Sequence, residues 1–181
     1  CALCAETLDQ SQTGINHGFW FEQPLVRWQE FVPSLPQVSR VSVYLGKNGT
    51  PGNVELSIVR AADSAVMAQE TIPQADVPAE GWVDVAFEPP IDVVPDETYR
   101  ITIGADQPSP GPAERYFWRG QQTDNLYPAG ISSVWSAWPN FDFAFKIYGL
   151  AGGGDRLLFV YDTDVGAATS FHDTLEAEGF A

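Results

Sequence analysis

An antiparallel two-sheet β-sandwich, jelly-roll-like, is the fold this sequence predicts for residues 17–149, and three observations carry that expectation. Apolar and polar residues alternate with period two in one run after another. That pattern places one face of a strand on a core and the other toward water. Turn-forming segments separate the runs, in a chain holding 16 Gly and 14 Pro among 181 residues, so short elements and many reversals are expected. No helical periodicity interrupts this stretch. The length suits one domain of ordinary size.

The elements follow in order. Val41, Val43 and Leu45 share a face, with Ser42 and Tyr44 on the other; Val54, Leu56 and Ile58 alternate with Glu55 and Ser57. Val83, Val85 and Phe87 alternate with Trp82 and Asp84, and Tyr99, Ile101 and Ile103 with Arg100 and Thr102. The last run sets Phe141, Phe143, Phe145 and Ile147 against Asp142, Ala144 and Lys146. Trp28 and Phe31, within Val26–Val32, read as core, as does the Phe stripe. Turns fall at Gly46–Gly52, Pro73–Gly81, Pro89–Asp96 and Gln107–Pro112. The spacing yields roughly eight to ten strands, the pattern of a sandwich.

Both ends depart from this pattern. Residues 1–16 form an N-terminal segment outside the alternation, opening with Cys1 and Cys4. Three readings of these cysteines stand side by side: lipidation of Cys1 after signal removal, a local or intermolecular disulfide in a secreted chain, or a remnant of a cut signal region. A redox Cys-x-x-Cys is disfavoured because no strand–helix context surrounds it. Past Gly149, residues 150–156 read as a Gly-rich linker. Residues 157–181 read as a βα unit: the apolar strand Leu157–Tyr161, an Asp162-Thr163-Asp164 loop, then apolar residues at helical spacing to Gly179. Such a unit opens a parallel α/β domain and cannot bury itself alone. The expectation is a truncated multidomain protein.

Charge narrows the partners. The 24 acidic residues outnumber 9 basic ones, a net charge of −15. Phosphate backbones and anionic membrane surfaces are repelled, so nucleic acid is not expected as a partner. No apolar run reaches the ~20 residues of a transmembrane helix, so no transmembrane segment is expected.

Candidate chemistry is sparse. His17 and His172 lie in different segments without metal-ligand spacing, and neither a zinc pattern, a phosphate-binding glycine loop nor a Gly-x-Ser-x-Gly elbow occurs. Among the acidic residues Glu30, Glu88, Glu114 and Asp142, none can be paired by spacing into a glycosidase site. An enzyme is therefore not expected, unless a further C-terminal domain carries chemistry. Asp142, turned away from the Phe stripe, with Asp124 as a second hard oxygen donor, is compatible with a structural calcium ion. Asn48-Gly49-Thr50 matches a glycosylation acceptor, weakened by Pro51.

Aromatic residues make up 13% of the chain, and in a sandwich about half of such residues belong to the core. Tyr116 and Trp118 share a strand face; Tyr127, Trp135 and Trp138 fall in loop-like sequence. Exposed rings grouped with polar side chains hold sugars by stacking while the polar groups read hydroxyls. These five rings are the candidate ligand-binding set. The alternative is that Trp135 and Trp138 close the end of the core.

Several segments together resemble a known module. They are Trp28–Pro33 with Val38–Leu45, Gly81–Phe87 with Asp96–Ile101, Tyr116–Trp118, Tyr127–Gly130, and Asp142–Gly149. Over residues 17–149 the chain resembles secreted bacterial β-sandwich modules of choice-of-anchor type, themselves similar to jelly-roll carbohydrate-binding modules. The resemblance implies an extracellular or cell-surface location and transfers no catalytic residue. The expected function is non-catalytic binding, most simply of a glycan. The alternative is a structural cell-surface or filament subunit whose terminal segments contact neighbouring protein subunits, Leu157–Tyr161 adding a strand to another sheet.

Overall fold

The computed structural model describes residues 5–108, 111 and 113–151. Eleven strands run through them: β1 (Thr7–Gln12), β2 (His17–Phe21), β3 (Arg27–Phe31), β4 (Gln37–Asn48), β5 (Val54–Arg60), β6 (Val66–Ile72), β7 (Glu80–Asp92), β8 (Tyr99–Ala105), β9 (Arg115–Gln121), β10 (Asp142–Phe143) and β11 (Phe145–Leu150). They form two antiparallel sheets, one of seven strands and one of four in the order β3-β8-β5-β6. In the larger sheet β4 is the spine. It pairs with β7 along one edge and, along the other, with β11 at Val43 to Gln37 and β9 at Leu45 to Asn48. The β1 strand continues the sheet beyond β11, and β2 beyond β9. The predicted sandwich is the observed fold.

Register follows from the alternation, because a one-residue slip would turn every apolar side chain to solvent. Val41, Val43 and Leu45 of β4, Val83, Val85 and Phe87 of β7, and Phe145 and Ile147 of β11 all enter the core. From the smaller sheet Val54, Leu56 and Ile58 meet Tyr99, Ile101 and Ile103, and Phe31 joins them. Trp118 stacks on Phe143 with centroids 4.4 Å apart, and Phe21 stacks on Tyr116 at 5.4 Å. Trp118 Nε1 donates to the Ala144 carbonyl at 3.0 Å, so burial leaves its one polar atom satisfied.

The structure corrects two of the sequence expectations. The sandwich begins at Thr7, within the stretch set apart as an N-terminal segment: Thr7–Gln12 lies along β11. Its polar sequence hides it, since an edge strand held by backbone pairing needs no apolar stripe. Trp28 is not core. Its neighbour Arg27 pairs with the core residue Ile103, which turns Trp28 to the outer face, where the Arg100 guanidinium lies 4.5 Å from its ring. Cys1, Cys4, most of the linker, Leu157–Tyr161 and His172 lie outside the described residues.

Candidate functional site

The five candidate rings do not share a surface. Within β9, Tyr116 and Trp118 both point inward and are fully buried, because Trp118 pairs with the core residue Leu45. The Tyr116 hydroxyl donates to the Gly52 carbonyl, and burial, with Asp106 nearby, pushes its pKa up to about 12. Tyr127 is also buried, its ring edge-on to Phe145 at 5.0 Å. Its hydroxyl accepts from Val32 N at 3.0 Å and donates to Gln10 Oε1 at 3.2 Å. Trp138 packs against the core, stacked on His17 and edge-on to Phe19. Only Trp135, 48% exposed, offers an open ring. A platform built from all five is therefore excluded. Period-two patterning put Tyr116 and Trp118 on one face without saying which, and the core took both.

Asp142 stands where its strand predicts, away from Phe143, but a loop covers it. Only 2% exposed, its carboxylate accepts from Tyr127 N at 3.1 Å and Gln29 Nε2 at 3.3 Å. Burial raises its pKa, with those two hydrogen bonds opposing. Gln29 also accepts from Phe143 N at 2.8 Å, while Gln12 Nε2 donates to the Asp142 carbonyl at 2.7 Å. The Asp142 oxygens thus anchor the 127–141 segment onto β3 and β10, the bonding a buried carboxylate requires. Asp124 lies exposed in a turn with φ 79°. Among the described residues no three His, Cys, Asp or Glu side chains group as a metal site.

A different set of rings faces outward, on the larger sheet. Tyr44 pairs with Trp82, and their rings meet edge-on at 5.3 Å. Reaching across β4, Lys146 places its Nζ 4.2 Å from the Trp82 ring centroid. One row further, Arg40 lies over Tyr148, its cross-strand partner, at 3.7 Å. Arg40 is held by Glu6 at 2.6 Å and Asp84 at 3.2 Å, and Ser42 donates to Asp84. The Arg40 hydrogen bond holds Glu6 below the usual carboxylate range. Farther along, Arg115 lies 4.6 Å from the ring of Trp20, which is 38% exposed, and Arg119 pairs with Glu80 at 3.1 Å.

The outer face therefore alternates rings with cations fixed over or beside them, and hydroxyls and carboxylates fill the rows between. Cation–π contact orients both partners at little cost in side-chain freedom. Rings and polar groups in this arrangement are chemically able to stack against a flat apolar ligand face and hydrogen-bond to polar substituents around it. The residues were legible in principle. Trp82, Tyr44 and Lys146 are the off-phase members of apolar runs, so each had to lie opposite the core. Their coming together depends on β7, β4 and β11 being neighbours, which alternation does not encode.

No family model matches the chain, and no curated protein matches it in sequence.

Proposed function

We propose that the chain is a non-catalytic, extracellular or cell-surface binding module that holds a glycan on the outer face of its larger sheet. The observation that carries this reading is the Tyr44–Trp82–Lys146 cluster beside Arg40–Tyr148, a half-exposed aromatic and polar surface on the outer face of the larger sheet. The resemblance to choice-of-anchor sandwich modules supports it, as does the polar content between the rings. Sugar stacking needs a ring backed by a rigid element. Trp82 has that backing from the strand pairing of β7 with β4.

A glycan array tests it, with Trp82→Ala and Trp135→Ala beside the native chain. Native binding that falls about three- to tenfold in Trp82→Ala is expected from the loss of one ring contact. If Trp135→Ala abolishes binding and Trp82→Ala does not, the site is the 132–140 loop. The second reading, an assembly subunit, is favoured by the outer edge of β6, which pairs with no further strand among the described residues and where Val66 is 60% exposed. Light scattering that finds a polymer, with no glycan retained, would select it.

A further inference from the structure

The proposed face also carries charge information, and this inference rests on the glycan reading. The chain has 9 basic residues and a net charge of −15, yet Arg40, Arg115, Arg119 and Lys146 all stand on this one sheet face. Strand parity puts them there. Arg115 and Arg119 are out of phase with buried Tyr116 and Trp118, Arg40 with Val41, and Lys146 with Phe145 and Ile147. Carboxylates answer Arg40, through Glu6 and Asp84, and Arg119, through Glu80. Lys146 differs. Among the described residues its ammonium makes no ion pair, and what it touches is the Trp82 ring at 4.2 Å. Its register neighbours on either side are Ser11 and Ser42, both hydroxyls.

We infer that the face selects a glycan bearing an anionic substituent, carboxylate or sulfate, which Lys146 receives while the sugar ring stacks on Trp82. A neutral sugar would leave the ammonium without a counter-charge in a water-poor contact. An anionic group supplies a charge-assisted hydrogen bond at the same place. The ring already holds the lysine near the position where it would meet the ligand, so less freedom is lost on binding. The strongly negative whole does not forbid this. At physiological salt the screening length is about 8 Å, so a ligand on the sheet senses nearby cations more than distant carboxylates.

The test prints uronate glycans and sulfated glycans on the array, each beside its neutral parent, at about 0.15 M salt. Preference for the acidic member of the pairs is expected, and the arm that binds, uronate or sulfate, assigns the group. Lys146→Gln, checked for native melting, should reduce the acidic-to-neutral ratio about fivefold, the worth of one partly exposed charge contact. Binding without acidic preference, or a preference untouched by Lys146→Gln, overturns this inference and leaves glycan binding standing. Retention of no glycan, acidic or neutral, overturns both.

Discussion

Tyr116 and Trp82 show how parity alone separates a core ring from a surface ring in the same sheet. Tyr116 is sealed between Phe21 and the Gly52 carbonyl, and its phenol is pushed up to about 12 by burial first and Asp106 second. The consequence for stability has a definite sign. A folded pKa above the unfolded value, about 10 for tyrosine, favours the protonated native state. That contribution is complete below pH about 10 and is lost as pH rises toward about 12. Urea midpoints measured across that window should fall steeply for the native chain and less steeply for Tyr116→Phe. Equal slopes would show that another group controls alkaline unfolding. Trp82, on the opposite face of the sheet, is not sealed in the core and instead meets Tyr44 and Lys146 at its ring.

Strand β9 is where three partners must fit at once. It pairs with β4, β2 and β10, and Gly120 lies opposite both His17 and Phe143. A Cβ at Gly120 would stand 2.3 Å from the Asp142 carbonyl oxygen and 2.5 Å from Phe141 Cζ. Backbone and a buried ring cannot yield as a flexible side chain does, so Gly120→Ala forces β10 away from β9. The expected cost is about 1–3 kcal/mol, as for other overpacked cores, measured by urea denaturation. An unchanged midpoint would mean that β10 shifts freely. Because Asp142 begins β10, the same substitution loosens the carboxylate that ties the 127–141 segment to Gln29. Gly49 plays a simpler part, its φ of 68° closing the turn after β4 in a conformation that L side chains rarely adopt.

Across the whole molecule, the sheets differ in how their edges are covered. The β3 edge is bridged by Gln29 to Ser132, with Glu30 N donating to the Ile131 carbonyl at 2.8 Å. In the larger sheet β1 covers β11, and Glu6 reaches from beside β1 to Arg40 on β4. Removing residues 1–12 should therefore expose β11 as a bare edge that recruits other chains. The expected result is a lower melting midpoint together with dimers or larger species in light scattering. A monodisperse truncated chain melting at the native temperature would make β1 a mere appendage. The Glu6–Arg40 pair also moves with pH. Its lowered carboxyl contributes stability above the ordinary glutamate range, and that contribution disappears as acid protonates it.

Period-two alternation determined the sheets of this protein from Val38 to Ile147, because strands that cover a core must present one apolar face. It also set Trp82, Tyr44 and Lys146 opposite the apolar face of their runs. The chain order left open which strands become neighbours, and the outer cluster exists only because β7, β4 and β11 lie side by side. It left open the fate of Tyr127 and Trp138, since loop sequence has no period from which to read an inward or outward direction. Asp142 looked like an open oxygen donor until the 127–141 segment closed over it. Long-range packing decided these points, and the five rings named for one platform were divided by it between core, loop and surface.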